Sequence, residues 1–268
     1  MKIWTVTRIR QAKGKQKLPC LTAYDCTTAR MIDEAGIPLI LVGDSLGMTV
    51  LGYDTTLPVT MEQMLHHTAA VARGVKNALV IADMPFLSYQ TSIETGITNA
   101  GRLIKEAGAD AVKIEGGAFR ADLVRALTAN GIPVMGHIGL TPQSVRELGG
   151  FKVQGRTQTA AAKLCQDAVA LAEAGVFTLV LECLPSSLGA EITAVTPVPT
   201  IGIGAGPGCD GQVLVSHDML GLQDQPLPRF VKRYAELAPQ MRDAFAAYAK
   251  EVADGTFPRA EHGYEGGA

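Results

Sequence analysis

Residues 33–45 read DEAGIPLILVGDS. A helix-like stretch stops at Gly36, an apolar run occupies Leu39–Val42, and Gly43 then delivers Asp44 and Ser45 side by side. A glycine just past a helix can take the left-handed conformation that caps its C-terminus. Leu-Ile-Leu-Val has no polar alternation, which is the pattern of a parallel strand buried on both faces. Read alone, Gly-Asp-Ser is a turn, since all three residues form turns. Recurrence decides otherwise. KEAGAD (105–110), TANGIP (128–133) and AEAGVF (172–177) repeat the helix stop, and each is followed by a short apolar run.

Working outward, the apolar runs predict strands at Leu18–Ala23, Leu39–Val42, Leu79–Ala82, Ala111–Ile114, Pro133–Gly136, Thr178–Leu181, Thr200–Ile203 and Gln212–Val215. Between most of them lie segments with helical spacing, clearest in 27–36, 61–74, 95–108, 121–131 and 161–175. Alternating strands and helices argue for parallel strands with helical crossovers. About eight strands without a linker predict an α/β fold, a single (β/α)8 TIM barrel, for which about 250 residues is usual. A doubly wound open sheet is the alternative. The expected organisation is one barrel domain over 1–268, with an N-terminal extension at about 1–17 and extra C-terminal helices in a tail at about 228–268.

The 268 residues are 47% hydrophobic and 19% charged, a composition for a globular core. A net charge of −2 offers nothing to nucleic acid or to an anionic membrane. The basic run KGKQK (13–17) reads as solvated surface. Five cysteines without a CxxC pair argue against a disulfide framework or a thiolate zinc site, and fit a reducing cytoplasm. The first residues lack a signal-peptide pattern, and no apolar run reaches the ~20 residues that span a bilayer.

In a parallel barrel, chemistry gathers at the C-terminal ends of the strands. Six successive strand ends here carry an ionisable residue: Asp25; Asp44 with Ser45; Asp83; Lys113 with Glu115; His137; Glu182. A turn explains any one of these and explains the set poorly, so a shared polar pocket is expected. Converging carboxylates need a counter-charge. Asp44, Asp83 and Glu115 are hard oxygen donors, which favours Mg²⁺; helix capping is the alternative for the two aspartates. Lys113 and Glu115 lie two apart and so share a side of their strand. The lysine suits a substrate carboxylate, unless the two form a structural ion pair. His137 reads as a proton relay or hydrogen-bond donor, or as a packed core histidine. Glu182, in apolar company, reads as a general base or as a loop glutamate. GIGAG (202–206) lacks dinucleotide-fingerprint spacing, and His66–His67 lack zinc-site spacing.

Taken together, TAYD, LVGDSLGMTVLGYDTTLPVT, HHTAAVARG, ADMPF, VKIEGG, GHIGLTPQSV, GGFKVQGR, LVLECLP, IGIGAG and GTFPRAEH resemble the ketopantoate hydroxymethyltransferase family, from about residue 20 onward. The resemblance implies transfer of a hydroxymethyl group from 5,10-methylenetetrahydrofolate to α-ketoisovalerate in pantothenate synthesis. It implies a homodecamer of (β/α)8 barrels with one Mg²⁺ per subunit. Residue by residue, it implies metal binding by Asp44 and Asp83 with Glu115 associated. Ser45 and Lys113 would hold the substrate carboxylate, Glu182 would accept a proton, and His137 would line the pocket. Folate-binding residues are not assigned. A C–C lyase of isocitrate-lyase type and a non-catalytic barrel that binds an organic acid are the competing readings.

Overall fold

In the computed structural model, which describes residues 2–223, 226–264 and 266, all eight expected strands form. They are β1 (Leu18–Thr22), β2 (Leu39–Val42), β3 (Leu79–Asp83), β4 (Ala111–Glu115), β5 (Val134–Gly139), β6 (Thr178–Glu182), β7 (Thr200–Ile203) and β8 (Gly211–Leu214). Every pairing is parallel and follows chain order, and β8 pairs back onto β1, so the sheet closes into a TIM barrel. That closure excludes the open doubly wound sheet.

The helices are α1 (Val6–Gln11), α2 (Cys26–Glu34), α3 (Leu46–Thr49), α4 (Met61–Gly74), α5 (Ile93–Lys105), α6 (Ala121–Ala129), α7 (Gln158–Ala174), α8 (Ser186–Val195), α9 (Ser216–Met219) and α10 (Leu237–Ala253). The four glycines expected to stop helices all have positive φ, from +75° at Gly108 to +108° at Gly175. Three strands, β3, β4 and β6, run one residue beyond their apolar stretch and so include Asp83, Glu115 and Glu182. The ladder needs only backbone groups, and a carboxylate at the last inward position costs no apolar packing when the layer above it is polar.

Strand alternation divides the core in two. Leu18, Cys20, Leu39, Leu41, Leu79, Ile81, Ala111, Met135, Val180, Ile201 and Val213 fill the barrel interior. The intervening residues, such as Ile40, Val80, Val112, Val134 and Leu179, face the helices through Ala29, Met64, Leu103, Leu127 and Leu171. The interior cluster also takes in Ile9 and Ala12, with Trp4 and Val6 packed against it. Trp4 N donates to Asn77 O, Arg10 reaches Gly175 O, and Lys13 pairs with Asp210 at 2.8 Å. These partners precede β3, β6 and β8, so α1 closes the N-terminal floor of the barrel. Lys17 Nζ also donates to Cys209 O, so the run 13–17 is tied down at Lys13 and Lys17 rather than merely solvated.

The chain divides into two compact units, residues 1–216 and 217–268. In the second, α10 buries none of its residues, and Met241, Phe245, Tyr248 and Val252 stand exposed along it. The expected helical tail thus contains one long helix, and its last positions, 265 and 267–268, lie outside the described residues.

Candidate active site

Inward alternation carries the apolar filling upward into a polar layer. Asp83 lies two residues beyond Ile81, Lys113 and Glu115 two and four beyond Ala111, His137 two beyond Met135, and Glu182 two beyond Val180. Asp44, Asp83, Lys113, Glu115 and His137 are all buried, with 2–4% of their surface exposed. The Glu182 side chain is 16% exposed. Asp44 and Ser45 join from the end of β2, where Gly43 is required: a Cβ there would stand 2.6 Å from Ser45 Oγ. Ser45 Oγ in turn shares a 2.8 Å hydrogen bond with Tyr24 OH.

One predicted member stays outside. Asp25 is exposed and accepts from Thr28 N and Thr28 Oγ1 at 2.8 and 2.7 Å, as the N-cap of α2. Both bonds to Thr28 are capping bonds of the first helical turn, and the side chain is exposed.

The charged groups touch in sequence around the barrel mouth. Lys113 Nζ lies 2.8 Å from Asp83 Oδ1 and 3.9 Å from Glu115 Oε1. His137 Nδ1 is 3.4 Å from Glu115 Oε1, and His137 Nε2 is 3.1 Å from Glu182 Oε2. Asp83 Oδ1, Glu115 Oε1 and His137 Nε2 are buried, and these contacts lack hydrogen-bond alignment. They act as charge contacts. Asp83 Oδ2 accepts from Asp44 N at 3.0 Å. Glu182 is placed by strain: the next residue, Cys183, has φ +49°, uncommon for a non-glycine residue and often found at functional sites.

Burial raises the Asp44 carboxyl well above its usual range, reinforced by the charges of Asp83 and Glu115 and opposed by Lys113 and Gln143. Burial also raises Asp83, against Lys113 and the Asp44 amide. Burial would raise Glu115 too, but His137, Lys113 and the Gln143 amide hold it below its usual range. Burial and Lys113 press the His137 imidazole down; Glu115 and Glu182 outweigh them and lift it to about 9. Lys113 is raised despite burial by Asp83, Glu115 and Asp44, and stays charged.

Four carboxyl groups, Asp44, Asp83, Glu115 and Glu182, thus converge on one lysine and one histidine, Lys113 and His137. The residues present fit a divalent cation on two grounds: an aspartate pair that burial keeps from ionising without a counter-charge, and buried carboxylate oxygens without an aligned donor. Among the described residues no three His, Cys, Asp or Glu side chains form a closed metal cage. A two-carboxylate seat completed by water and substrate oxygens is the arrangement Mg²⁺ prefers.

Three uncharged residues escaped the sequence reading. Gln143 Nε2 donates to Asp44 Oδ2 at 3.0 Å and to Met84 O at 2.9 Å, while its backbone N donates to Glu115 Oε2 at 3.0 Å. Tyr89 OH donates to Gln143 Oε1 at 2.7 Å and accepts from Glu115 N at 3.0 Å. Tyr24 holds Ser45, and its own carbonyl lies 2.7 Å from His67 Nδ1. Of the HH pair, His67 thus braces the backbone at Tyr24, while His66 is exposed. The only available signal was position: Gln143 lies in GHIGLTPQSV, directly after β5. Burial and Glu182 push the Cys183 thiol up to about 12, which keeps it protonated beside the site.

The family model for ketopantoate hydroxymethyltransferase matches residues 3–260. Proteins named 3-methyl-2-oxobutanoate hydroxymethyltransferase from Moorella thermoacetica and Clostridium novyi are 59% and 58% identical, over 97% and 96% of this chain and 97% and 94% of their own. Another with that name, from Nitratidesulfovibrio vulgaris, is 58% identical over 96% of this chain and 84% of its own. Among solved structures, phosphonopyruvate hydrolase in complex with oxalate and Mg²⁺ superposes with a TM-score of 0.64 at 13% identity, over 99% of this chain and 92% of that one. A 2,3-dimethylmalate lyase superposes at 0.59 with 16% identity, over 93% and 88%. Those two likenesses establish the barrel fold alone. With a family model spanning nearly the whole chain and relatives close to 60% identical, this hydroxymethyltransferase belongs to the ketopantoate hydroxymethyltransferase family.

Proposed function

We propose that the site converts 3-methyl-2-oxobutanoate (α-ketoisovalerate) to 2-dehydropantoate (ketopantoate), with 5,10-methylenetetrahydrofolate as one-carbon donor, Mg²⁺ as the metal, and pantothenate and coenzyme A synthesis as the destination. The observation that carries the reading is the contact of Glu182 with His137 at the edge of a buried layer that also holds Lys113 and the Asp44–Asp83 pair. Asp44 and Asp83 would hold one Mg²⁺ per subunit, with Glu115 associated. When bound, the ion acts as a Lewis acid that polarises the keto acid and acidifies the proton on C3.

The protein's own groups supply the remainder. Lys113 and Ser45 bind and orient the substrate carboxylate, the first by charge and the second by a hydroxyl fixed on Tyr24. Glu182 accepts the C3 proton, and the electron pair of that bond becomes the enolate. His137, in contact with both Glu115 and Glu182, keeps the accepting carboxylate facing the pocket. C3 then forms a bond to the one-carbon unit, and the two bonds from that carbon to the folate nitrogens break as water supplies the hydroxyl oxygen; the nitrogens take up the proton that Glu182 accepted and the one that water releases. Tetrahydrofolate leaves.

Self-association to a decamer forms part of the proposal, supported by the family resemblance and by the exposed row Met241, Phe245, Tyr248 and Val252 on α10. A reducing, cytoplasmic setting is likewise proposed, supported by five cysteines that are all unpaired. No helix among the described residues is long and apolar enough to cross a membrane.

The test is exchange of the C3 proton of α-ketoisovalerate in heavy water, followed by NMR. Exchange is expected to need Mg²⁺ and to proceed without folate. Glu182→Gln should still bind the keto acid and lose exchange by at least about a hundredfold, the contribution of a positioned base. Absence of exchange in the intact protein removes the enolising mechanism, and unchanged exchange in the variant removes Glu182 as the base.

A further inference from the structure

A cavity of about 740 Å³ opens at the same end of the barrel, walled by the loops that follow β2, β3, β4 and β5. Glu115 and Gln143 line it, and both belong to the acidic network, so cavity and site share a wall. Its other surfaces are of two kinds. Phe86, Leu87 and Phe119 present apolar surface, with Leu87 56% and Phe119 70% exposed. Arg120 and Arg146 present guanidinium groups.

The chain is built to hold these groups open. Leu87 sits at φ +66°, a conformation that costs a leucine free energy, yet its side chain is left out of the core. Gly116, at φ +120°, is required by its neighbours: a Cβ there would stand 2.7 Å from Phe119 Cζ and 2.9 Å from Arg120 Cγ. Gly116 of KIEGG thus lets Phe119 and Arg120 fold back over the end of β4. The Arg120 guanidinium is then clamped between two rings, 4.9 Å from the centroid of Phe119 and 5.2 Å from that of Tyr89. Its Nε is buried without a hydrogen-bond partner. Among the described residues no carboxylate lies within ion-pair distance of Arg120 or Arg146, Glu147 on the same rim included. A guanidinium held between two rings, with its Nε buried and no acid partner, beside exposed aromatic faces, suits a flat ligand that carries carboxylates.

We propose that this cavity seats the folate, with the pteridine stacked on the Phe86 and Phe119 side and the glutamate carboxylates on Arg120 and Arg146. The assignment rests on the one-carbon reading given above. It adds the place from which the one-carbon unit is delivered: across the wall formed by Glu115 and Gln143.

The test is calorimetric binding of 5-formyltetrahydrofolate, a stable folate, to the full-length protein in the presence of Mg²⁺ and α-ketoisovalerate. Wild type is compared with Arg120→Met, Arg146→Met and Phe119→Ala. Loss of a charge-assisted contact should weaken folate binding by about tenfold or more in either arginine variant, with the affinity for the keto acid within about twofold of wild type. Arg146 and Phe119 are exposed, so their variants keep the test decisive where Arg120→Met disturbs folding. If all three variants bind the folate within about twofold of wild type, the seat is elsewhere and the transfer reading stands. If wild type binds no folate and makes no ketopantoate, the transfer reading falls and this assignment with it.

Discussion

The amide of Gln143 is saturated: its nitrogen donates to Asp44 Oδ2 and Met84 O, and its oxygen accepts from Tyr89 OH and Gln90 Nε2. It ties the ends of β2 and β3 to the loop after β5, and it stabilises the ionised form of an aspartate that burial opposes. Methionine has nearly the same size and none of these bonds. Gln143→Met should lower stability by about 1–3 kcal/mol, the usual cost of orphaning buried polar groups, and should weaken keto-acid binding in Mg²⁺. A urea midpoint equal to that of wild type would contradict this. Gln143 also shows what kind of residue stays hidden in a sequence. Asp44, Asp83, Lys113, Glu115, His137 and Glu182 were legible because an ionisable group at the end of an apolar run is chemically conspicuous. Gln143, Tyr89 and Tyr24 are uncharged, and their importance lies in partners far away in sequence. Asp25 shows the opposite failure. It has the right type and position, but it is exposed and caps the first turn of α2 through Thr28.

At the level of elements, the barrel depends on junctions that fix where each strand starts. Asp33, near the end of α2, is buried and accepts from the backbone N of Lys76, Asn77 and Ala78 at 3.1, 3.0 and 2.7 Å. It thereby pins the segment that leads from α4 into β3. Burial acts to raise its carboxyl, but those three amides and the Asn77 side chain outweigh it, and the folded value lies below the ordinary one. The sign follows. A carboxyl lowered on folding contributes stability that is fully present above its unfolded value of about 3.9 and is lost as pH falls through the folded value. Asp33→Asn should therefore cost about 1–3 kcal/mol at pH 7, and the gap between variant and wild type should narrow once the pH drops below 4. Urea titrations at pH 7 and at pH 3 measure it; a gap of equal size at both would refute the role. The strands on either side of such junctions were readable from apolar runs and glycine stops. The junction itself was not, because a helical aspartate facing three backbone amides looks like any surface acid.

For the molecule as a whole, the least legible part was the first seventeen residues. They read as an extension with a solvated basic run, since six helical residues with one or two apolar positions carry little periodicity. A barrel of eight parallel strands, however, has an open lower end, and its apolar filling must be shielded from water there. Here α1 does so: Ile9 is fully buried within the same cluster as Leu18, Leu39 and Leu79. The flanking contacts of Trp4, Arg10, Lys13 and Lys17 reach backbone or side-chain oxygens that precede β3, β6 and β8. Helix α1 and its flanking residues therefore brace strands from several parts of the closed sheet at once, and their loss should be felt by the whole barrel. Ile9→Ala removes packed methyl groups from the floor and should cost about 2–5 kcal/mol, the range for such truncations in cores. The polar layer lies at the opposite end, beyond the interior apolar residues of every strand. Proton exchange from the keto acid by the folded fraction should accordingly match wild type while the urea midpoint falls. A midpoint that does not move would mean the floor is closed by something other than α1. A stability loss accompanied by an equal loss of exchange per folded molecule would mean that the two ends of the barrel are mechanically coupled, and that the interior layer does not insulate the site from its floor.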